Sequence, residues 1–488
     1  MSDNASQRAV AHEEIVSLGA VALSGMIAGR TLSCREVMTA YLAHIDAVNP
    51  RVNAIVSRRD PDTLLAEADA CDRELASGKS RGWLHGIPQA IKDLSPTAGI
   101  VTTFGSPLRA EQIPARDGLM VERMKAAGAI VIGKTNTPEF GLGSQTYNPV
   151  FGATRNAYDH ALTAGGSSGG AAAALAMRML PVADGSDMMG SLRNPAAFNN
   201  LFGFRPSFGR VPQAPVPDVF GEQLGTEGPM GRNVSDVARL LSTQAGPDAR
   251  APLSNAGDAA PFAGDLSRDV EGLRIGWIGD WQGHLATEDG VLQVCEQGLN
   301  RLKKLGCVVE PVVPAFDPAR LWRCWNTLRQ WSVTGKLAPL YANPETRNRL
   351  KPEACWEVEQ GLVLSALDIH RANVDRTAWY EVLRRLFERF DILAMPSAQV
   401  FAFDVGIHWP SEIAGRAMDT YHRWMEVAIG ASLAGVPAMS VPAGFDARGR
   451  AMGLQLIGPH RADLAVLQLA SAYEQVAADV LARTPDWQ

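Results

Sequence analysis

The chain has 488 residues, 46% of them hydrophobic and 20% charged, with a formal net charge of −6. That balance describes a globular protein with a sizeable core, and no basic stretch supports nucleic-acid or anionic-membrane binding. The six cysteines are scattered, without a Cys-x-x-Cys pair or a Cys/His cluster, so no zinc site, disulfide framework or other cofactor is expected. Residues Met1 to Gly19 carry Asp3, Glu13 and Glu14 and lack an apolar stretch, which reads as no secretory signal. No apolar run is long enough to span a membrane. A cytoplasmic protein is therefore expected.

The first eighty residues read as helical. Ser33-Cys34-Arg35-Glu36 forms a capping box before apolar positions Val37, Tyr41, Leu42, Ile45 and Val48, and Pro50 is expected to stop that helix. A second helix is predicted from about residue 60 to residue 78. From residue 86 the pattern changes to short apolar strands, predicted at 86–92, 129–133, 181–183, 273–278, 307–312, 391–395, 438–443 and 452–457. Helices fit 118–127, 169–178, 234–242, 287–304 and 461–482. The alternation implies an α/β class, with a mixed, twisted central sheet surrounded by helices. Residues 244–268, rich in Ala, Gly, Pro, Asp and Ser, read as a surface loop within one domain spanning 1–488. That domain comprises a helical part over 1–80, a core over 81–243, and, after the loop, the rest of the sheet with a variable substrate-channel region over 269–488.

Only eight lysines occur in the chain, and Lys92 ends the apolar run that starts at Gly86. Burial disfavours an ammonium ion, and a lysine made neutral can act as a general base near pH 7. Lys92 reads as the only lysine so placed. Gly165-Gly166-Ser167-Ser168-Gly169-Gly170 follows, and then Asp187-Met188-Met189-Gly190-Ser191-Leu192-Arg193. Each part alone has a bland reading as a solvated lysine, a flexible loop or an ordinary serine. Together, two serines in sharply turning backbone and one apolar-flanked lysine make a nucleophile, a relay and a base.

Gly86 through Asp93, Gly133-Lys134-Thr135-Asn136-Thr137-Pro138-Glu139-Phe140, the glycine–serine segment with its downstream serine, Ala434 to Ala438 and Gly453 to Gly458 together resemble the amidase signature family of serine hydrolases. The resemblance covers nearly the whole chain and implies that fold. It also implies Ser191 as the acyl-accepting nucleophile, with Ser167, cis in the family, bridging it to Lys92. Ser168 is expected to hydrogen-bond in the same network. Backbone N–H groups of Met188, Met189, Gly190 and Ser191 are expected to face the developing oxyanion, each worth roughly 10²–10³ in rate when preorganised. Met189 stands where the family usually has glycine, so that position must adopt a conformation a side chain tolerates. Asp187 and Arg193 read as a supporting ion pair.

The implied reaction is hydrolysis of a carboxylic amide, linear or cyclic, without a metal. Seven of the eleven tryptophans fall between residues 320 and 425. With Met188 and Met189 they suggest an apolar or aryl-accepting pocket, for which Gln145, Tyr147, Met189, Trp325 and Trp331 are the candidate lining residues. Packing of helices by the same aromatics is the plainer reading. The resemblance also admits carbamate or ester cleavage, and the glutaminase-type subunit of a tRNA-dependent amidotransferase, whose polar pocket the tryptophan-rich segment disfavours. A non-catalytic binding protein is disfavoured by the intact lysine and serines. Gly165 to Gly169 satisfies the Gly-x-Ser-x-Gly pattern of α/β-hydrolases, but residues 159–164 make a poor strand and His408, His422 and His460 lie in no recognisable context. The expected partner is a small-molecule amide, and family members are often homodimers, although nothing in the sequence marks an interface.

Overall fold

The computed structural model describes residues 12–486, so most of the acidic N-terminal stretch read for a secretory signal lies outside the described residues. Among the described residues no helix is long and apolar enough to cross a membrane. The capping box forms as expected. Ser33 Oγ accepts from the Glu36 N–H at 3.1 Å, Glu36 Oε2 accepts from the Ser33 N–H at 2.8 Å, and the helix Cys34–Val52 follows. Pro50 does not stop it. The helix runs two residues further and closes on left-handed Asn53, while Asn49 Oδ1 takes the next N–H groups, those of Ala54 and Ile55.

Eleven strands carry the architecture: β1 Ile55–Val56, β2 Pro88–Lys92, β3 Ile130–Thr135, β4 Ala183–Asp187, β5 Phe202–Arg205, β6 Thr226–Gly231, β7 Arg274–Trp277, β8 Val308–Pro311, β9 Ile392–Pro396, β10 Ala438–Phe445 and β11 Ala451–Ile457. Eight of them form a central sheet in the order β8-β7-β9-β11-β10-β5-β6-β4. Its β8-β7-β9 side is parallel and the remaining pairs are antiparallel. The sheet is thus mixed, and with its many helices the class is α/β. β2 and β3 do not join its ladder. They pair in parallel and, with antiparallel β1, make a small sheet of three.

Some strands depart from the sequence pattern. The expected strand at 181–183 is instead Ala183–Asp187, whose Asp, Gly and Ser residues carry no apolar alternation. β5 and β6 were not expected, being short or punctuated by Gly228 and Pro229. The helix expected over 287–304 begins at Val291, after Gly290 turns at φ +94°. The tryptophan-rich region consists largely of three helices, Pro318–Ala342, Pro352–Leu362 and Ala366–Leu386.

Two clusters of buried side chains meet at the middle of the chain. One packs the N-terminal helices and small sheet, the other the central sheet and C-terminal helices. The helix Arg193–Phe198 joins them, giving Ala196 to the first and Ala197 and Phe198 to the second. The helix Gly169–Ala176 is buried along its whole length, and only small residues let it pass so close to β3. A Cβ at Gly170 would sit 2.3 Å from the Asn136 nitrogen.

Candidate active site

β2 delivers Lys92 at its buried C-terminal end, beside the last residues of β4. Lys92 Nζ lies 2.8 Å from Ser167 Oγ, 2.8 Å from Ser168 Oγ, 2.9 Å from Ser186 Oγ and 3.3 Å from the Ser186 carbonyl. Burial pushes the lysine down to about 7, against the pull of the Asp184, Asp187 and Glu227 carboxylates. A neutral amine has two N–H groups and one lone pair, so among these oxygens it can accept from a hydroxyl as well as donate. The Gly166–Ser167 peptide is cis. Ser191 adjoins this cluster: its carbonyl accepts from the Ser168 N–H at 3.3 Å, and its side chain lies in a residue only 7% exposed.

The turn before Ser191 is held by a buried carboxylate. Asp187 Oδ1 accepts from the Gly190 N–H at 2.9 Å and Oδ2 from the Leu192 N–H at 3.1 Å. Arg193 reaches it through Nε at 3.0 Å and Nη2 at 2.8 Å, so the expected ion pair is present, with both side chains fully buried. Arg205, which sequence reading missed, adds Nη1 at 3.2 Å. Burial alone would raise the Asp187 pKa, but Arg193 and Arg205 reverse that and hold the carboxyl well below the usual range. One expectation needs correcting here. The Gly190 N–H, placed among the oxyanion donors, is already taken by Asp187, whereas those of Met188, Met189 and Ser191 have no protein acceptor among the described residues.

Met189 tolerates its position because the left-handed residue in this turn is Gly190, at φ +82°, not Met189. Its side chain is 3% exposed and packs into the larger core cluster. Met188 is half-buried at the turn, with its sulfur 3.6 Å from Arg329 Nη1. The other candidate pocket residues scatter. Trp325 is fully buried in the core, and Trp331 lies against Gly221, where an added Cβ would come within 2.9 Å of its ring. Gln145 Nε2 donates to the Val405 carbonyl at 2.9 Å, and Tyr147 stacks on His408 with ring centroids 4.4 Å apart. The plainer reading of the tryptophans thus holds for Trp325, a core residue.

Lys92 is not the only lysine that burial affects. Lys134, within the motif that begins at Gly133, is buried and shifted down to about 8, with Nζ 2.6 Å from the Ser95 carbonyl and 2.7 Å from Thr97 Oγ1. What distinguishes Lys92 is its contact with the serines of the glycine-rich segment. Two carboxyls stand behind it. Asp184 Oδ2 accepts from the Lys92 N–H at 3.1 Å, and Glu227 Oε1 accepts from Ser95 Oγ at 2.8 Å. Burial raises them to about 6 and about 7 respectively, against the pull of Lys92 and Lys134. Ser186, Asp184 and Glu227 carried no sequence signal, because each lies in a strand without apolar alternation.

A family model described as Amidase matches residues 36–467. The chain is 32% identical over 474 residues to the acylamidase of Rhodococcus erythropolis, covering 94% of this chain and 95% of that protein. It is 33% identical over 489 residues to a glutamyl-tRNA(Gln) amidotransferase subunit from Thiobacillus denitrificans, covering 95% and 98%. Among solved structures, a bacterial aryl acylamidase of the amidase signature family superposes with a TM-score of 0.88 at 28% identity, over 96% of this chain and 99% of that one. With a matching family model, full-length relatives and a shared fold, the chain belongs to the amidase signature family of amide-hydrolysing enzymes.

Proposed function

We propose that this protein cleaves the C–N bond of a small-molecule carboxylic amide through an acyl-enzyme on Ser191. The observation that carries this reading is the placement of a buried, readily neutral Lys92 within 2.8 Å of Ser167 Oγ, in a cluster that Ser191 adjoins. A serine hydroxyl is a weak nucleophile until a base removes its proton. Ser167 takes the Ser191 proton while passing its own to Lys92, so the relay never holds a charge on the middle hydroxyl. Run backwards, the same relay protonates the leaving amine. The developing oxyanion is met by the backbone N–H groups of Met188, Met189 and Ser191.

The substrate reading is an amide bearing an apolar or aryl group. It is supported by similarity to acylamidases and by Met188 at the edge of the turn. Cleavage of glutamine in preference to aryl amides would favour the amidotransferase-type alternative. Screening purified protein against aryl, alkyl and cyclic amides, carbamates, esters and glutamine tests the assignment. The site draws Lys92 from the small sheet and Ser186 from the central one, which supports reading the chain as a single domain. A cytoplasmic location, expected from composition, is part of the same proposal.

The pH profile gives a signed test. If Lys92 must be neutral, kcat/KM rises through about pH 7 toward alkaline conditions. The Asp184 carboxylate favours the ammonium form, so Asp184→Asn is expected to move this acid limb to lower pH. A limb that moved upward, or did not move, would count against Asp184 acting on Lys92.

A further inference from the structure

Beside the Ser191 turn, the tryptophan-rich helices bury a set of charged groups that the reaction above leaves unused. Arg329, on the helix Pro318–Ala342, is 3% exposed. Its Nε donates to Glu357 Oε1 and its Nη2 to the Tyr421 hydroxyl oxygen, both at 2.6 Å, and that hydroxyl donates on to Glu357 Oε1 at 2.6 Å. Glu357, on the helix Pro352–Leu362, is fully buried, yet its second oxygen, Oε2, has no hydrogen-bond partner among the described residues. Among the described residues the third guanidinium nitrogen, Nη1, faces only a soft acceptor, Met188 Sδ at 3.6 Å.

Two chains of contact tie this group to the candidate active site. On one side Met188 belongs to the turn that ends at Ser191. On the other, Lys351 Nζ lies 6.0 Å from the Tyr421 ring centroid and 5.6 Å from that of Tyr147, and donates to the Leu142 carbonyl at 2.5 Å. Leu142 follows Gly141, where an added Cβ would sit 3.6 Å from Ser167 Oγ. The contacts therefore run from Met188, three residues before Ser191, through Arg329, Tyr421 and Lys351 to Leu142, whose neighbour Gly141 packs beside Ser167.

An ion pair kept only to hold helices together gains most when each lone pair and N–H is matched, because an unsatisfied buried polar atom is costly, more so when charged. Here one strong donor and one strong acceptor remain unmatched. The guanidinium and carboxylate cancel, so a ligand group with net charge would leave one of them uncompensated out of water. A neutral group that accepts through C=O and donates through N–H matches both. We propose that Arg329 and Glu357, clamped by Tyr421, form a specificity subsite for a second, non-scissile carboxamide on the substrate. The inference rests on the hydrolase reading of Ser191 and narrows its substrate to a compound with an amide besides the one cleaved.

The test uses the full-length protein and anilides that share one scissile bond. Alkyl spacers of several lengths end in methyl, carboxamide, carboxylate or ammonium. Labelling of Ser191 by a fluorophosphonate is read first. No labelling overturns the hydrolase reading and this inference with it. Where labelling occurs, the carboxamide series is expected to exceed the other three by about tenfold or more in kcat/KM at its best spacer length, the scale on which polar recognition discriminates. Equal rates across the four endings at every length overturn the subsite alone. Glu357→Gln leaves Arg329 unneutralised, so relative preference should shift about tenfold or more toward carboxylate. A merely structural role would lower all four series together. Tyr421→Phe keeps both charges and loosens the clamp, so the carboxamide advantage should shrink with the order unchanged. If Glu357→Gln fails to fold, the wild-type series and Tyr421→Phe still decide.

Discussion

Ser191→Ala is expected to abolish acylation by a fluorophosphonate, and Lys92→Ala to slow it by at least the ~10²–10⁴ typical of a lost general base. Ser191 stands in a turn whose neighbouring N–H groups, those of Met188, Met189 and Ser191 itself, have no other protein acceptor among the described residues. Lys92 touches the serine segment directly, at 2.8 Å from both Ser167 Oγ and Ser168 Oγ. Ser167→Ala should also impair acylation severely, because the proposed relay loses its middle hydroxyl. Lys92→Ala also removes one of the two lysines whose charge acts on Asp184 and Glu227, leaving Lys134, so their carboxyls should bind protons more readily. Its fold is therefore to be checked by circular dichroism alongside its rate. Full labelling of Ser191→Ala would overturn the mechanism, as would EDTA sensitivity of the wild type.

The second large effect is on stability. Asp187→Asn is expected to destabilise the protein by about 3–5 kcal/mol at pH 7, the usual cost of breaking a buried ion pair by removing one partner. Asp187, Arg193 and Arg205 are all fully buried, and the substitution leaves two guanidiniums without a counter-charge. An amide nitrogen would also turn a donor toward groups that are themselves donors, including the Gly190 or Leu192 N–H. The sign with pH follows from the depressed carboxyl. Its stabilisation is fully present above the ordinary carboxylate pKa of about 4 and is lost as pH falls below it toward the folded value. The gap between wild type and variant should therefore be widest near neutral pH and close in acid. Urea denaturation of both proteins measures it, and midpoints that agree at pH 7 would remove the pair from any account of stability. Arg193 also donates to the Ala428 carbonyl at 3.1 Å and Ser432 Oγ at 3.0 Å, and it contacts Gln455. The same residue thus ties the turn to the central sheet, so activity should fall with stability.

Local sequence determined those features whose physical cause is itself local. The capping box at Ser33 and Glu36 needs only residues three apart, and Asp187 and Arg193 are brought together by one tight turn. The apolar run ending at Lys92 marks burial, and burial suffices to lower a lysine's pKa. Family motifs then assigned the glycine–serine segment and Ser191 to one chemistry. Only the tertiary structure decided the rest. It brought Ser186 onto Lys92 from a strand whose Asp and Ser residues look like loop, and it set Arg205 on Asp187. It committed the Gly190 N–H to that same carboxylate. It put Trp325 in the core and set Trp331 against Gly221, and it joined Arg329 to Glu357 and Tyr421, 28 and 92 residues away. A polar residue is buried stably when its partner arrives from another element. Such pairing depends on which strands and helices become neighbours, and neither residue type nor spacing along the chain encodes that order.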